Sequence, residues 1–232
     1  VCVWGWTGCP SSAMLSLRNT LEQAVDDLVE KALARWPNVP AISGWLKLNT
    51  QGDWLLTGPV PEGLTISHPR ILNFMARNYG CEPDGRYYFQ NGPQKAYVHL
   101  VYTPWVYRIH PLAQGDLMLS THTGLIDWPQ AIFQDEQGRV LIQGEHGIGL
   151  LHSNDMDLLA AGLQEAEDAL VHRASWAVPA EDPDTLIAAR TKLRRVAGTS
   201  TGRRECSFTV LPIHSAEVAE RFNFDPNPEL NT

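Results

Sequence analysis

The residues best suited to touch a ligand gather near the middle of the chain. Arg86, Tyr88, Gln90, Asn91, Gln94, Tyr102, Trp105 and Arg108 mix guanidinium and amide donors with aromatic faces, and Arg77 and Asn78 stand just ahead of them. Such a set recognises a molecule by stacking and hydrogen bonding, without breaking bonds. Bond-breaking groups are harder to assemble. The chain has no Gly-rich phosphate loop, no nucleophile elbow and no His-Glu-x-x-His helix. His146 and His152 flank a turn together with Glu145, and His99 could meet His110 or His122 across a sheet, but no spacing matches a zinc site. Cys81 follows an expected helix end, where the dipole disfavours a thiolate. Asp53 and Asp84 each lie beside a turn glycine and read as turn residues. The expectation is no catalytic residue, no metal and no cofactor.

These candidates need strands to hold them. Asn91-Gly92-Pro93 separates Arg86–Gln90 from Lys95–Tyr102, and an Asn-Gly pair accepts the positive φ of a tight hairpin turn. Further strands are expected at Gly44–Leu48, Trp54–Thr57, Trp105–Ile109, Asp116–Thr121, Leu125–Phe133 and Ser207–Pro212. Ser67 is placed to cap a helix that opens at Pro69 and ends by Tyr79-Gly80. Leu17, Leu21, Val25, Leu28, Ala32 and Leu33 recur at helical spacing and predict a helix over Leu15–Trp36. A long helix is expected over Ser153–His172, a linker over Trp176–Asp184, helices at Thr185–Val196 and Ser215–Arg221, and a flexible Gly198–Gly202 stretch. The fold class is α+β.

The chain has 232 residues, 44% hydrophobic and 19% charged, which is ordinary globular usage. Its formal net charge is −8, and its basic clusters, Lys192–Arg195 and Arg203-Arg204, are short. A nucleic-acid partner is not expected. Cysteines at positions 2, 9, 81 and 206 form no Cys-x-x-Cys pair, so a reducing cytoplasm fits best. No apolar run is long enough to cross a bilayer. Residues 1–13 lack helical period and precede Met14, which suggests that Met14 is the natural start.

One pattern goes beyond composition. At an offset of 86 residues, QGDWLLTGPVPEGLTISHPRIL (Gln51–Leu72) lies over QGRVLIQGEHGIGLLHSNDMDL (Gln137–Leu158) without a gap. The shared glycines fall at turns, the leucines at buried positions, and Ser67 and Ser153 at expected helix caps. We read a duplicated β-turn-β-helix unit around an antiparallel sheet. The divisions are residues 1–13 as an extension, 14–43 as helix and linker, 44–109 and 110–175 as the two units, and 176–232 as a C-terminal helical extension. A groove between the copies is expected to be the ligand site.

GDWLLTG (Gly52–Gly58), SHPRILNFMARNYG (Ser67–Gly80), PDGRYYFQNGPQKAYV (Pro83–Val98), VYTPW (Val101–Trp105) and GIGLLHSNDMDLLAAGL (Gly147–Leu163) occur in an order and spacing that carry a family likeness. The stretch Gly44–Leu170 resembles uncharacterised proteobacterial domains catalogued as domain of unknown function 1285 and relatives. The resemblance implies an α+β fold with repeated motifs and a regulatory or ligand-sensing role. It carries no catalytic residue over. The leading functional reading is a non-catalytic module that binds a small molecule or a protein partner, with no membrane involvement. The alternatives are an enzyme with a polar cleft, and an assembly protein that forms a homodimer through Leu15–Trp36.

Overall fold

A computed structural model describes residues 27–58, 63–112, 117–162, 164–165, 172–178, 202–208 and 210–229. Helix α1 (Asp27–Arg35) leads into two sheets. The first has six strands: β1 (Ile42–Leu48), β2 (Trp54–Leu56), β3 (Leu64–Thr65), β4 (Tyr79–Cys81), β5 (Tyr87–Asn91) and β6 (Gln94–Leu100), in the order β3-β2-β1-β6-β5-β4. Helix α2 (Pro69–Arg77) lies between β3 and β4 in the chain and buries Met75. All neighbours in this sheet run antiparallel except β1 and β6, which pair parallel at its centre.

The second sheet takes in β7 (Trp105–Pro111), β8 (Leu117–Thr121), β9 (Ile126–Asp127), β10 (Ala131–Gln134), β11 (Val140–Gln143), β12 (Ile148–Leu151), β13 (Gln164–Glu165), β14 (His172–Val178), β15 (Gly202–Phe208) and β16 (Val210–Pro212). Helix α3 (Met156–Gly162) follows a 3-10 turn at Ser153–Asp155, and α4 (Val218–Arg221) follows one at Ser215–Glu217. The ladder runs β7-β12-β11-β10-β16 on one side and β7-β8-β14-β15 on the other. In sequence, residue 209 alone separates β15, at one end of this ladder, from β16, at the other. One continuous apolar core spans both sheets, from Leu46, Leu48, Val98 and Leu100 to Tyr107, Leu119, Leu141 and Ile142.

Two hairpins in this architecture share a register. Leu46, Lys47 and Leu48 pair with Leu56, Leu55 and Trp54, and Ile132, Phe133 and Gln134 pair with Ile142, Leu141 and Val140 at the same 86-residue offset. Asn49 Oδ1 accepts from the Gln51 and Asp53 amides at 2.9 and 2.8 Å; Asp135 Oδ1 accepts from the Gln137 and Arg139 amides at 3.0 and 2.9 Å. Gly52 and Gly138 take φ of 82° and 77° in these turns, a conformation that costs glycine nothing. The segments then diverge. Leu55 pairs with Thr65, whereas Leu141 pairs with Leu150, one residue short of the offset.

Several expectations change. The caps are histidines rather than Ser67 and Ser153: Nδ1 of His68 accepts from the Arg70 amide at 3.3 Å, and Nδ1 of His152 from the Asn154 amide at 3.1 Å. A histidine ring nitrogen serves the cap as a serine oxygen would, so the cap chemistry holds while the residue moves by one. The long helix over Ser153–His172 ends at Gly162, and β13 and β14 follow. His172–Val178 is a strand paired with β15, so Trp176–Val178 of the expected linker are strand, the rest of it lies outside the described residues, and the C-terminal extension is not purely helical. Strand pairing with a segment roughly thirty residues on is not visible in a short sequence window. Residues 1–26, which hold most of the expected first helix, and the helix at Thr185–Val196 lie outside the described residues.

The second sheet is organised around Tyr107, whose side chain is fully buried on β7. Its hydroxyl donates to Asp127 Oδ2 at 2.8 Å and lies 2.9 Å from the Gly147 carbonyl. A Cβ on Gly149 would lie 2.5 Å from the Tyr107 ring, and one on Gly144 would lie 2.6 Å from its hydroxyl. Gly149→Ala is therefore expected to cost about 1–3 kcal/mol through overpacking, and Tyr107→Phe about 1–3 kcal/mol by removing one donor from the buried Asp127 carboxylate. Denaturant unfolding of each variant checks both, and an unchanged midpoint for Gly149→Ala would remove the packing argument.

Candidate functional site

The ten residues chosen from the sequence do not meet at one place. Asn78 ends α2 at 3% exposure, donates its Nδ2 to the Phe74 carbonyl and leaves Oδ1 without a partner. Gln90 is buried and donates to the Gly92 carbonyl, closing the hairpin turn that also holds Asn91 and Gln94. Lys95 sits over the Tyr88 ring, 4.3 Å from its centroid, and is paired with Glu82. Arg77 is exposed in the last turn of α2. Gln90, Asn91, Gln94 and Tyr88 thus lie on the β5–β6 hairpin, and Arg77 and Asn78 at the end of α2.

Tyr102 joins the sheets. Its hydroxyl donates to Asp135 Oδ2 at 2.8 Å, and the Arg139 guanidinium lies over its ring at 3.9 Å while donating to the same carboxylate at 2.6 Å. Burial opposes the charge on Asp135, but the hydrogen bonds from Arg139, Tyr102 and Gln137 hold its carboxyl below the usual range. The linker from β6 to β7 is thereby tied to the β10–β11 turn.

Arg108 belongs to a second polar cluster. Nε and Nη2 donate to both oxygens of Asp155 at 2.6 and 3.2 Å, and the Ile109 amide donates to Asp155 Oδ2 at 3.0 Å. Burial works against the charge on Asp155, and these donors outweigh it. Two residues along β7, His110 Nε2 lies 2.8 Å from Ser120 Oγ. Burial lowers the pKa of both His110 and His152, keeping them neutral near pH 7. Gln51 and Ser153, from the two hairpin segments, meet beside this cluster at 3.3 Å.

Trp105 lies at the junction of the sheets. Trp54, Tyr79, Tyr87, Trp105, His122 and His146 pack ring against ring with centroids 5.1 to 6.2 Å apart. Two nitrogens in this cluster, Trp105 Nε1 and His122 Nε2, are shut off from solvent without a partner, at a cost of about 1–3 kcal/mol each.

Arg86 lines an open cavity. Asp84, Arg86, Asp225, Asn227 and Glu229 surround about 440 Å³ between the β4–β5 turn and the C-terminal tail. Asp84 Oδ2 accepts from Arg86 Nε at 2.8 Å, and the guanidinium rests over the Tyr97 ring at 4.6 Å. The tail is fixed in turn. Leu100 donates its amide to the Pro226 carbonyl at 2.8 Å, Asp225 donates its amide to the Gly85 carbonyl at 3.0 Å, and Asn227 Oδ1 lies 2.8 Å from His99 Nδ1. Asp225, Asn227 and Glu229 escaped the sequence reading. Their signal was the alternation of acceptor side chains with proline in Asp225-Pro226-Asn227-Pro228-Glu229. Among the described residues, no three His, Cys, Asp or Glu are grouped to hold a metal ion, and no helix is long and apolar enough to cross a membrane.

Burial pushes the His122 pKa down to about 3 from an ordinary 6.5. Its folded-state pKa lies below the unfolded one, so the unfolded chain takes up the proton first as pH falls. Stability is fully present above about pH 6.5 and declines toward pH 3, by up to about 1.4 kcal/mol per pH unit from this group. The depressed carboxyls of Asp135 and Asp155 add losses of the same sign at lower pH. His122→Gln, which keeps an acceptor for the Val106 amide, is expected to flatten the stability curve between pH 6 and 4. Urea titrations across that range check it, and an unaltered slope would exclude His122 as the source.

With this geometry established, the chain can be set beside known proteins. A DUF1285 family protein from Silicibacter pomeroyi DSS-3 is similar at 16% identity and a TM-score of 0.40, over 56% of this chain and 75% of that one. A DUF1285 family protein from Shewanella baltica OS155 is similar at 17% identity and a TM-score of 0.35, over 50% of this chain and 91% of that one. These neighbours are of the class that the sequence motifs resemble. No curated protein matches. The family model DUF2944, described as "Protein of unknown function (DUF2946)", matches residues 25–229, and the chain belongs to that family.

Proposed function

We propose that this protein is a non-catalytic binding module that takes a small polar molecule, or a polar group of a protein partner, between the β4–β5 turn and the C-terminal tail, and so regulates another activity. The observation that carries the reading is Arg86 at the edge of that cavity. Asp84 and the Tyr97 ring orient its guanidinium before any ligand arrives, which lowers the ordering cost of binding. The volume of about 440 Å³ suits a small ligand.

We also read the chain as two copies of one strand–turn–strand–helix unit. The common register of the two hairpins and their equivalent Asn49 and Asp135 turns support this reading. The offset by one residue at β12 counts as later divergence. A cytoplasmic setting goes with it, since the four cysteines show no paired spacing.

A thermal-shift screen of polar metabolites against the full chain tests the assignment. A ligand at 100 times its Kd adds about 2.7 kcal/mol of stability. Arg86→Ala is expected to abolish the shift while Arg108→Ala, in the other cluster, retains it. A hit that stabilises Arg86→Ala as much as the parent protein would move the site elsewhere.

A further inference from the structure

The turn that opens at Ser153 is closed by a group that can gain a proton. A helical N-terminus leaves backbone amides without partners, and a side-chain oxygen usually meets them. Here the acceptor is a ring nitrogen: His152 Nδ1 accepts from the Asn154 amide at 3.1 Å, and the His152 carbonyl accepts from the Asp155 amide at 2.9 Å. A ring nitrogen that accepts from an N–H carries no proton, so this cap exists only with the neutral imidazole whose proton is on Nε2. Protonation puts a second N–H at Nδ1, facing the Asn154 amide donor to donor. Serine or asparagine at this position would accept whatever the pH.

That turn ties the two sheets. Ser153 Oγ lies 3.3 Å from Gln51 Oε1 in the β1–β2 turn of the first sheet. The His152 amide donates to the Tyr107 carbonyl at 2.9 Å, and Asp155 accepts from Arg108 and the Ile109 amide, all on β7 of the second. His152 itself is 7% exposed. The charged groups facing its ring are Arg108 from β7, Asp155 from its own turn and Asp53 from the β1–β2 turn. Burial disfavours the proton most, Arg108 adds to this, and the two carboxylates oppose them, so the pKa lies below the ordinary 6.5. The unfolded chain therefore takes up the proton first as pH falls. The stability that the cap contributes is complete above about pH 6.5 and is lost as pH falls through the folded-state value.

We propose that His152 is an acid-operated latch: protonation of its ring uncaps the Ser153–Asp155 turn and loosens the tie of that turn to the β1–β2 turn of the first sheet. The latch is separate from the Arg86 cavity and does not rest on it. The full chain, labelled with 15N, is followed by NMR from about pH 7.5 to about pH 4.5. The Asn154 amide signal is expected to move with the His152 ring at one midpoint below 6.5. Its hydrogen-exchange protection is expected to fall about tenfold across that midpoint. His152→Asn supplies a capping oxygen that does not titrate and is expected to hold both readouts constant. His122→Gln is expected to respond as the parent chain does. An Asn154 signal that stays fixed while the His152 ring titrates overturns the proposal, and so does a His152 ring that remains neutral until the chain unfolds. A response that survives in His152→Asn, or is lost in His122→Gln, overturns it as well. Should His152→Asn fail to fold, the parent chain decides alone, and separate midpoints for ring and amide overturn the latch.

Discussion

The carboxylate of Asp127 is wholly buried, and four donors converge on it. The Trp128 and Glu145 amides reach Oδ1 at 2.7 and 2.8 Å, and the Tyr107 hydroxyl and His146 amide reach Oδ2 at 2.8 and 3.1 Å. A carboxylate taken out of water is stable only when its lone pairs are met this fully. The four donors come from β7, the end of β9 and the β11–β12 loop, so one side chain fixes where three segments sit. Gly144 and Gly149 let the backbone approach Tyr107 closely enough for the set to form. Removing one donor leaves the buried carboxylate short of a partner and weakens the ties among these segments.

What this centre positions is the junction between the sheets. Trp105 lies two residues before Tyr107 on β7 and turns its ring to the same side of the strand. His146 and Gly147 sit on the loop that Asp127 holds. The aromatic cluster that joins the first sheet to the second therefore takes its placement from a polar interaction outside it. The C-terminal tail makes an independent tie. Phe222 packs edge-on against Phe133 at 5.5 Å, and the Pro226 carbonyl accepts from Leu100. The tail that closes the cavity beside Arg86 thus touches both sheets.

The local turn chemistry was legible in the sequence. Asn91-Gly92 closes the β5–β6 hairpin, Asp84-Gly85 turns the chain into β5, and Gln51-Gly52 and Gln137-Gly138 turn at the same register. Each is fixed by neighbours within four residues. The parallel pairs β1·β6 and β10·β16 were not legible, because their partners lie roughly fifty to eighty residues apart and no turn residue announces them. For the same reason β14 was read as helix end and linker. Site residues followed this division. Gln90 and Asn91, chosen for their amide donors, lie at the β5–β6 hairpin turn. Asp127 fell within the expected strand Leu125–Phe133, and nothing local marks it as an acceptor, because two of its donors, the Glu145 and His146 amides, lie eighteen and nineteen residues on.

The account stands on Asp127 as the organising acceptor, and amide hydrogen exchange in the native protein tests it most directly. The Glu145 and His146 amides lie in a loop whose side chains are exposed and half-buried, where unbonded amides would exchange quickly. The account predicts protection close to that of the β7 and β12 core amides, with exchange only on global unfolding. Rapid exchange at Glu145 and His146 while β7 and β12 stay protected would contradict it.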